Sequence, residues 1–96
     1  MRVLMKMQIP VEGGNAAIKN GSMATIFKAF TEQVKPEAAY FTVADGKRTM
    51  FAVFDLASPA DMPRIGEPFF MGLGASIEVT PCMNAQELAG GLGQLG

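Results

Sequence analysis

Between Arg2 and Ile9 the chain alternates. Val3, Met5, Met7 and Ile9 fall on one side, and Arg2, Leu4, Lys6 and Gln8 on the other. Period two predicts a strand with one dry face, and Pro10 ends it. VEGGN (11–15) then reads as a loop, with Gly13 and Gly14 as breakers and Asn15 capping a short turn from Ala16. Ser22 is the candidate N-cap of a helix over about 23–35, whose apolar stripe is Ile26, Phe27, Phe30 and Val34. Pro36 stops that helix.

AAYFTV (38–43) reads as a second strand, and Ala44-Asp45-Gly46-Lys47 as a hairpin turn signalled by Asp-Gly. A third strand follows over 48–56. Met50 to Phe54 are all apolar, which predicts a strand buried on both faces. Ser58-Pro59-Ala60-Asp61 has the form of a helix start. Met62, Ile65, Phe69 and Leu73 make a core-facing stripe, while Gly66 and Pro68 are expected to kink or split the helix. ASIEVT (75–80) alternates as a fourth strand. Asn84 and Glu87 are spaced as a capping box for a last short turn. Residues 1–89 form one domain, and 90–96 are expected to be a flexible Gly-rich tail.

The resulting order, β-α-β-β-α-β, is the ferredoxin-like α+β arrangement. It predicts a four-stranded antiparallel sheet in the order 4-1-3-2, with two helices on one face.

Composition sharpens this picture. Of 96 residues, 49% are hydrophobic and only 18% charged, an apolar surplus for one small domain. The net charge of −1 lacks the electrostatic footprint of a nucleic-acid binder. Absence of His excludes His-centred triads and His metal or haem ligands, and a single Cys excludes an intrachain disulfide. No metal site and no cofactor are expected. No apolar stretch approaches the roughly 20 residues of a membrane-spanning helix, and no signal peptide is evident. The lone Cys82 agrees with a reducing compartment, so the expectation is a cytoplasmic protein of bacterial origin.

Two helices leave one sheet face open, greasy at its centre and polar around it. A second copy is the expected cover, because a two-fold contact needs only one patch. In this length, order and open face the chain resembles the dimeric α/β-barrel superfamily, which includes antibiotic-biosynthesis monooxygenases, muconolactone isomerases and stress-response barrel proteins. KPEAAYF (35–41), GKRTMFAVFDL (46–56), GEPFFMGLGASIEVTP (66–81) and MNAQEL (83–88) further resemble a small, uncharacterised bacterial family within it. The resemblance implies a homodimer joined through the open sheet face. It carries over no mechanism, since catalytic members often use His, Trp or His-bound haem, and this chain has neither residue.

The candidate chemistry is thin. Tyr40 would point its hydroxyl from the open face into a barrel cavity, or pack with that hydroxyl bonded to backbone. Arg48, beside Lys47, could grip a carboxylate or mark a solvated hairpin end. Lys6 and Glu78, on neighbouring strands, could be a proton-transfer couple or a register-fixing ion pair. Asp55, and similarly Glu67, could act as a base or cap a backbone terminus. Asn15, Lys19 and Ser22, in the Gly-rich segment, lack a full phosphate-loop pattern. Cys82 reads as a small hydrophobe. The leading expectation is a dimeric barrel that binds a small apolar or aromatic metabolite between its sheet faces. The alternatives are a cofactor-independent isomerase or monooxygenase of small aromatic or lactone substrates, and a structural or regulatory subunit.

Overall fold

The computed structural model describes residues 1–96. Strand β1 (Arg2–Ile9) is followed by α1 (Val11–Asn20), α2 (Ser22–Val34), β2 (Ala38–Ala44), β3 (Lys47–Asp55), a 3-10 turn (Pro59–Asp61) leading into α3 (Met62–Leu73), β4 (Ser76–Pro81) and α4 (Ala85–Gly93). The sheet is antiparallel in the order β2-β3-β1-β4. This is the ferredoxin-like α+β topology, with α1 and α4 added to its minimal order.

The alternation of β1 is the axis of the core. Val3, Met5, Met7 and Ile9 are all buried under the helices. In register beside them on β3 lie Phe54, Ala52 and Met50. From the helices, Phe30 of α2 and Ile65, Phe69 and Leu73 of α3 close the layer. Four edge-to-face ring contacts tie it together. Phe69 packs on Phe27 and Phe30, Phe30 on Phe54, and Phe27 on Phe41, with centroids 5.3–5.8 Å apart.

Local physics explains most boundaries. Asp45 and Gly46 both take positive φ, 56° and 72°, which is the type I′ pattern the Asp-Gly turn favours. Lys35 ends α2 in the left-handed region, one residue before Pro36. The Ser58 hydroxyl accepts from the Ala60 N–H at 3.2 Å, as an N-cap should.

Four local expectations are corrected. VEGGN is not a loop: α1 starts at Val11. There Glu12 in the first turn and Lys19 in the last complement the helix dipole. The glycines are packing residues, because a Cβ on Gly13 would strike the Leu73 carbonyl oxygen and one on Gly14 the Arg48 guanidinium. Ser22 is the first residue of α2, not its cap. Gly21 holds that place with φ 80°, and the Asn20 Oδ1 accepts from the Ser22 N–H at 2.8 Å. α3 is not split: it runs through Pro68. The proline removes the donor to the Arg64 carbonyl, but both residues are exposed, so water can serve that group. Finally, β3 is fully buried on one face and only partly on the other, where Thr49 alone is buried. Met50, Ala52 and Phe54 are covered, whereas Phe51 and Val53 are half-buried on the open side.

Candidate functional site

The pairing register places three candidates in one row across the open face. Tyr40 lies opposite Phe51, Phe51 opposite Lys6, and Lys6 opposite Glu78. The next row runs Ala38, Val53, Leu4 and Thr80. The centre of the face is thus Phe51, Val53 and Leu4, with Tyr40 and Glu78 toward its two edges.

Sharing a row does not bring these groups together chemically. Tyr40 is 73% exposed, and its hydroxyl bonds to no other residue. Lys6 forms no ion pair with Glu78. Its ammonium turns toward the hairpin, 3.9 Å from the Asp45 carboxylate. The Gln8 amide reaches the same turn, donating to Asp45 Oδ2 at 2.9 Å and to the Ala44 carbonyl at 3.2 Å.

Arg48 and Asp55 have structural partners. Arg48 pairs with Ile9 in register, and so belongs to the helix side of the sheet. Its Nη2 donates to Asn15 Oδ1 at 2.9 Å and its Nη1 to the Val11 carbonyl at 3.3 Å. It therefore holds α1 onto β3, and it takes Asn15 out of the phosphate-loop reading. We expect Arg48→Met to cost about 0.5–1 kcal/mol in urea unfolding, as two solvent-exposed charge-assisted bonds to α1 are lost. Asp55 accepts from the Met1 ammonium at 2.7 Å, while that ammonium also donates to the Leu56 carbonyl at 3.1 Å. At the same end, Arg2 Nε donates to Glu37 Oε1 at 2.6 Å, and Arg2 also pairs with Glu87 of α4. The Glu37 hydrogen bond raises the Arg2 guanidinium above its ordinary value, against an opposing desolvation.

The hollow that can take a ligand lies elsewhere, on the helix side between α3 and the β4 edge of the sheet. Its volume is about 320 Å³, and eight of its eleven lining residues are hydrophobic. Met5, Phe54 and Val79 form the floor, and Met62, Ile65 and Phe70 the wall. Glu67 supplies the only charged side chain there. The cleft exists because α3 covers β1 and β3 but leaves Ile77 and Val79 of β4 half-covered. A smaller hollow, about 200 Å³, opens between α2 and β2 beside Phe41 and Arg48.

Sequence reasoning singled out Glu67 but did not see this cleft. The available signal was the apolar Ile77-x-Val79 on an edge strand beside a helix with more apolar positions than one stripe needs. Cys82 is free and partly buried. No group of His, Cys, Asp or Glu residues is placed to hold a metal ion. No helix is long and apolar enough to cross a membrane. Compared with models of known protein families and with curated proteins, the chain matches none.

Proposed function

We propose that this chain is a cytoplasmic, bacterial, homodimeric binding domain of the dimeric α/β-barrel kind. Two copies meet through the open sheet face, and each holds a small aromatic molecule in the cleft beneath α3. The observation that carries this reading is the cleft itself. A hollow of about 320 Å³, mostly apolar with one carboxylate, falls within the size and chemistry of small-molecule sites. Its position on the helix side favours it over the space between sheets, which two facing patches of Phe51, Val53 and Leu4 would fill.

The lining also narrows the ligand. The Phe70 ring and the Met62 thioether, both partly exposed, suit an aromatic body. An ionised Glu67 accepts hydrogen bonds and donates none, so the matching ligand carries a hydroxyl or amine donor.

The test uses 2-naphthol and naphthalene as probes, with binding followed by fluorescence. Both should bind the wild-type chain, 2-naphthol more tightly. Val79→Phe should weaken both by about tenfold or more by filling the cleft. Glu67→Gln should weaken 2-naphthol alone. Absence of binding to the wild type, or binding unaffected by Val79→Phe, would overturn the cleft reading. For the dimer, Phe51→Lys places a charge at the centre of the open face and should yield a monomer in sedimentation equilibrium. An unchanged dimer would put the interface elsewhere.

A further inference from the structure

Glu67 stands at the cleft without a counterion. None of the chain's ion pairs includes it. Arg64 precedes it by three residues on α3, a spacing at which helical side chains are neighbours. Arg64 points the other way, however, and donates to Asp61 Oδ1 at 3.0 Å. No lysine or arginine lines the cleft. The carboxylate is therefore an uncompensated charge on the rim of an otherwise apolar hollow.

An aromatic ring lies beside it. Phe70 follows Glu67 by three residues, so the two are also neighbours on the helix surface, and both line the cleft. The Phe70 side chain is 45% exposed, which leaves part of its ring free to meet a ligand. Gly66 keeps the space next to that ring open. A Cβ added there would touch the Phe70 ring at 3.4 Å and the tip of Ile77 at 3.7 Å. Its missing side chain leaves a gap of about methyl size between α3 and the β4 edge.

Electrostatics then select the ligand. Glu67 is exposed, so water serves its carboxylate while the cleft is open. An aromatic body seated in the cleft displaces part of that water. A charge removed from water is costly unless it is paired. A neutral hydroxyl restores one hydrogen bond and leaves the charge. A protonated amine restores the hydrogen bond and offsets the charge as well, and the Phe70 π-system attracts the same cation. A ligand carboxylate or phosphate would face Glu67 as a like charge, with no cation in the lining to offset it.

We infer that the cleft selects aromatic ammonium ions, with the ring in its apolar part and the ammonium paired to Glu67. The inference rests on the cleft reading proposed above. It narrows the ligand from any hydrogen-bond donor to a cation and makes Glu67 the residue that sets this preference.

The experiment uses one ring system with three charges: 2-naphthylmethylamine, 2-naphthylmethanol and 2-naphthoate. Binding to the full chain is followed by fluorescence at neutral pH, where the amine is protonated. The amine should bind about tenfold more tightly than the alcohol, and 2-naphthoate should bind most weakly. Raising the salt from about 0.02 M to about 0.5 M should weaken the amine and leave the alcohol unchanged. In Glu67→Gln the amine and the alcohol should bind alike, and in Glu67→Lys 2-naphthoate should overtake the amine. Glu67 is exposed, so both variants should fold, which circular dichroism checks. Equal binding of amine and alcohol by the wild type, or an amine preference that survives Glu67→Gln, would overturn the cation preference. The cleft reading would still stand, provided that Val79→Phe weakens the alcohol. Absence of binding by all three compounds, or binding indifferent to Val79→Phe, would overturn the cleft and the preference together.

Discussion

Phe69→Ala is expected to remove about 3–5 kcal/mol of stability, roughly a third to a half of the ~10 kcal/mol that a domain of this size commonly has. Phe69 is 1% exposed, and its ring joins both helices of the core through edge contacts with Phe27 at 5.6 Å and Phe30 at 5.3 Å. Phe30 in turn meets Phe54 of β3. Truncation therefore leaves a cavity at the one point where α2, α3 and the sheet are in mutual register. The neighbours cannot collapse into it without losing their own edge contacts, which is the condition for the upper part of the range. Urea unfolding followed by circular dichroism measures the effect. Phe69→Leu, which retains most of the volume, should lose roughly 1–2 kcal/mol. Phe70→Ala, one residue along but exposed, should lose less than Phe69→Ala by about 2 kcal/mol. Equal losses at 69 and 70 would refute this placement of the core.

Gly13→Ala is the second large effect, and its sign opposes helix propensity. Alanine in a helix interior is better than glycine by about 0.8–1.0 kcal/mol. At Gly13, however, the new methyl group would run into the backbone carbonyl of Leu73 at the end of α3. Backbone cannot swing aside as a side-chain tip can, so α1 and α3 must separate. The expected net destabilisation is about 1–3 kcal/mol. Gly14→Ala meets the end of the Arg48 side chain first. That side chain can move, so the change should be within about 1 kcal/mol of neutral, with the Arg48 bonds to α1 weakened. Gly90→Ala in α4, where nothing is near, serves as the control in which propensity alone acts. A stabilised Gly13→Ala variant would show that α1 does not lie this close to α3.

These two results bear on how much was legible in advance. The alternation of β1, the Asp-Gly turn and the Ile65, Phe69 and Leu73 stripe were each strong local patterns, and each occupies its expected place. The Gly13-Gly14 pair misled because local propensity treats glycine as a breaker. Here its missing side chain is what lets α1 approach α3 and β3, a contact between residues some 35 to 60 positions apart. Pro68 misled for a related reason: the cost of a lost helical bond depends on whether the freed carbonyl can reach water.

The candidate site follows the same division. Tyr40, Lys6 and Glu78 were read onto the open face, and the register sets them in one row there. From sequence, Arg48 beside Lys47 reads as a grip for a carboxylate or as a solvated hairpin end. Because it pairs with the helix-facing Ile9, it is committed to Asn15 and Val11 instead. Asp55 is likewise held by the Met1 ammonium. Nothing local to 62–79 announces the cleft, which arises from the placement of α3 relative to the β4 edge.

By itself, then, the sequence determined the strands, their order, the face that Val3, Met5, Met7 and Ile9 bury, and the exclusion of His-based chemistry. These follow from periodicity and composition, which act over a few residues. Only the tertiary structure decided that two glycines build a helix, which way Arg48 points and where an apolar hollow remains. Those are set by distances between segments far apart in the chain, and steric fit at such distances has no local signature in the order of residues.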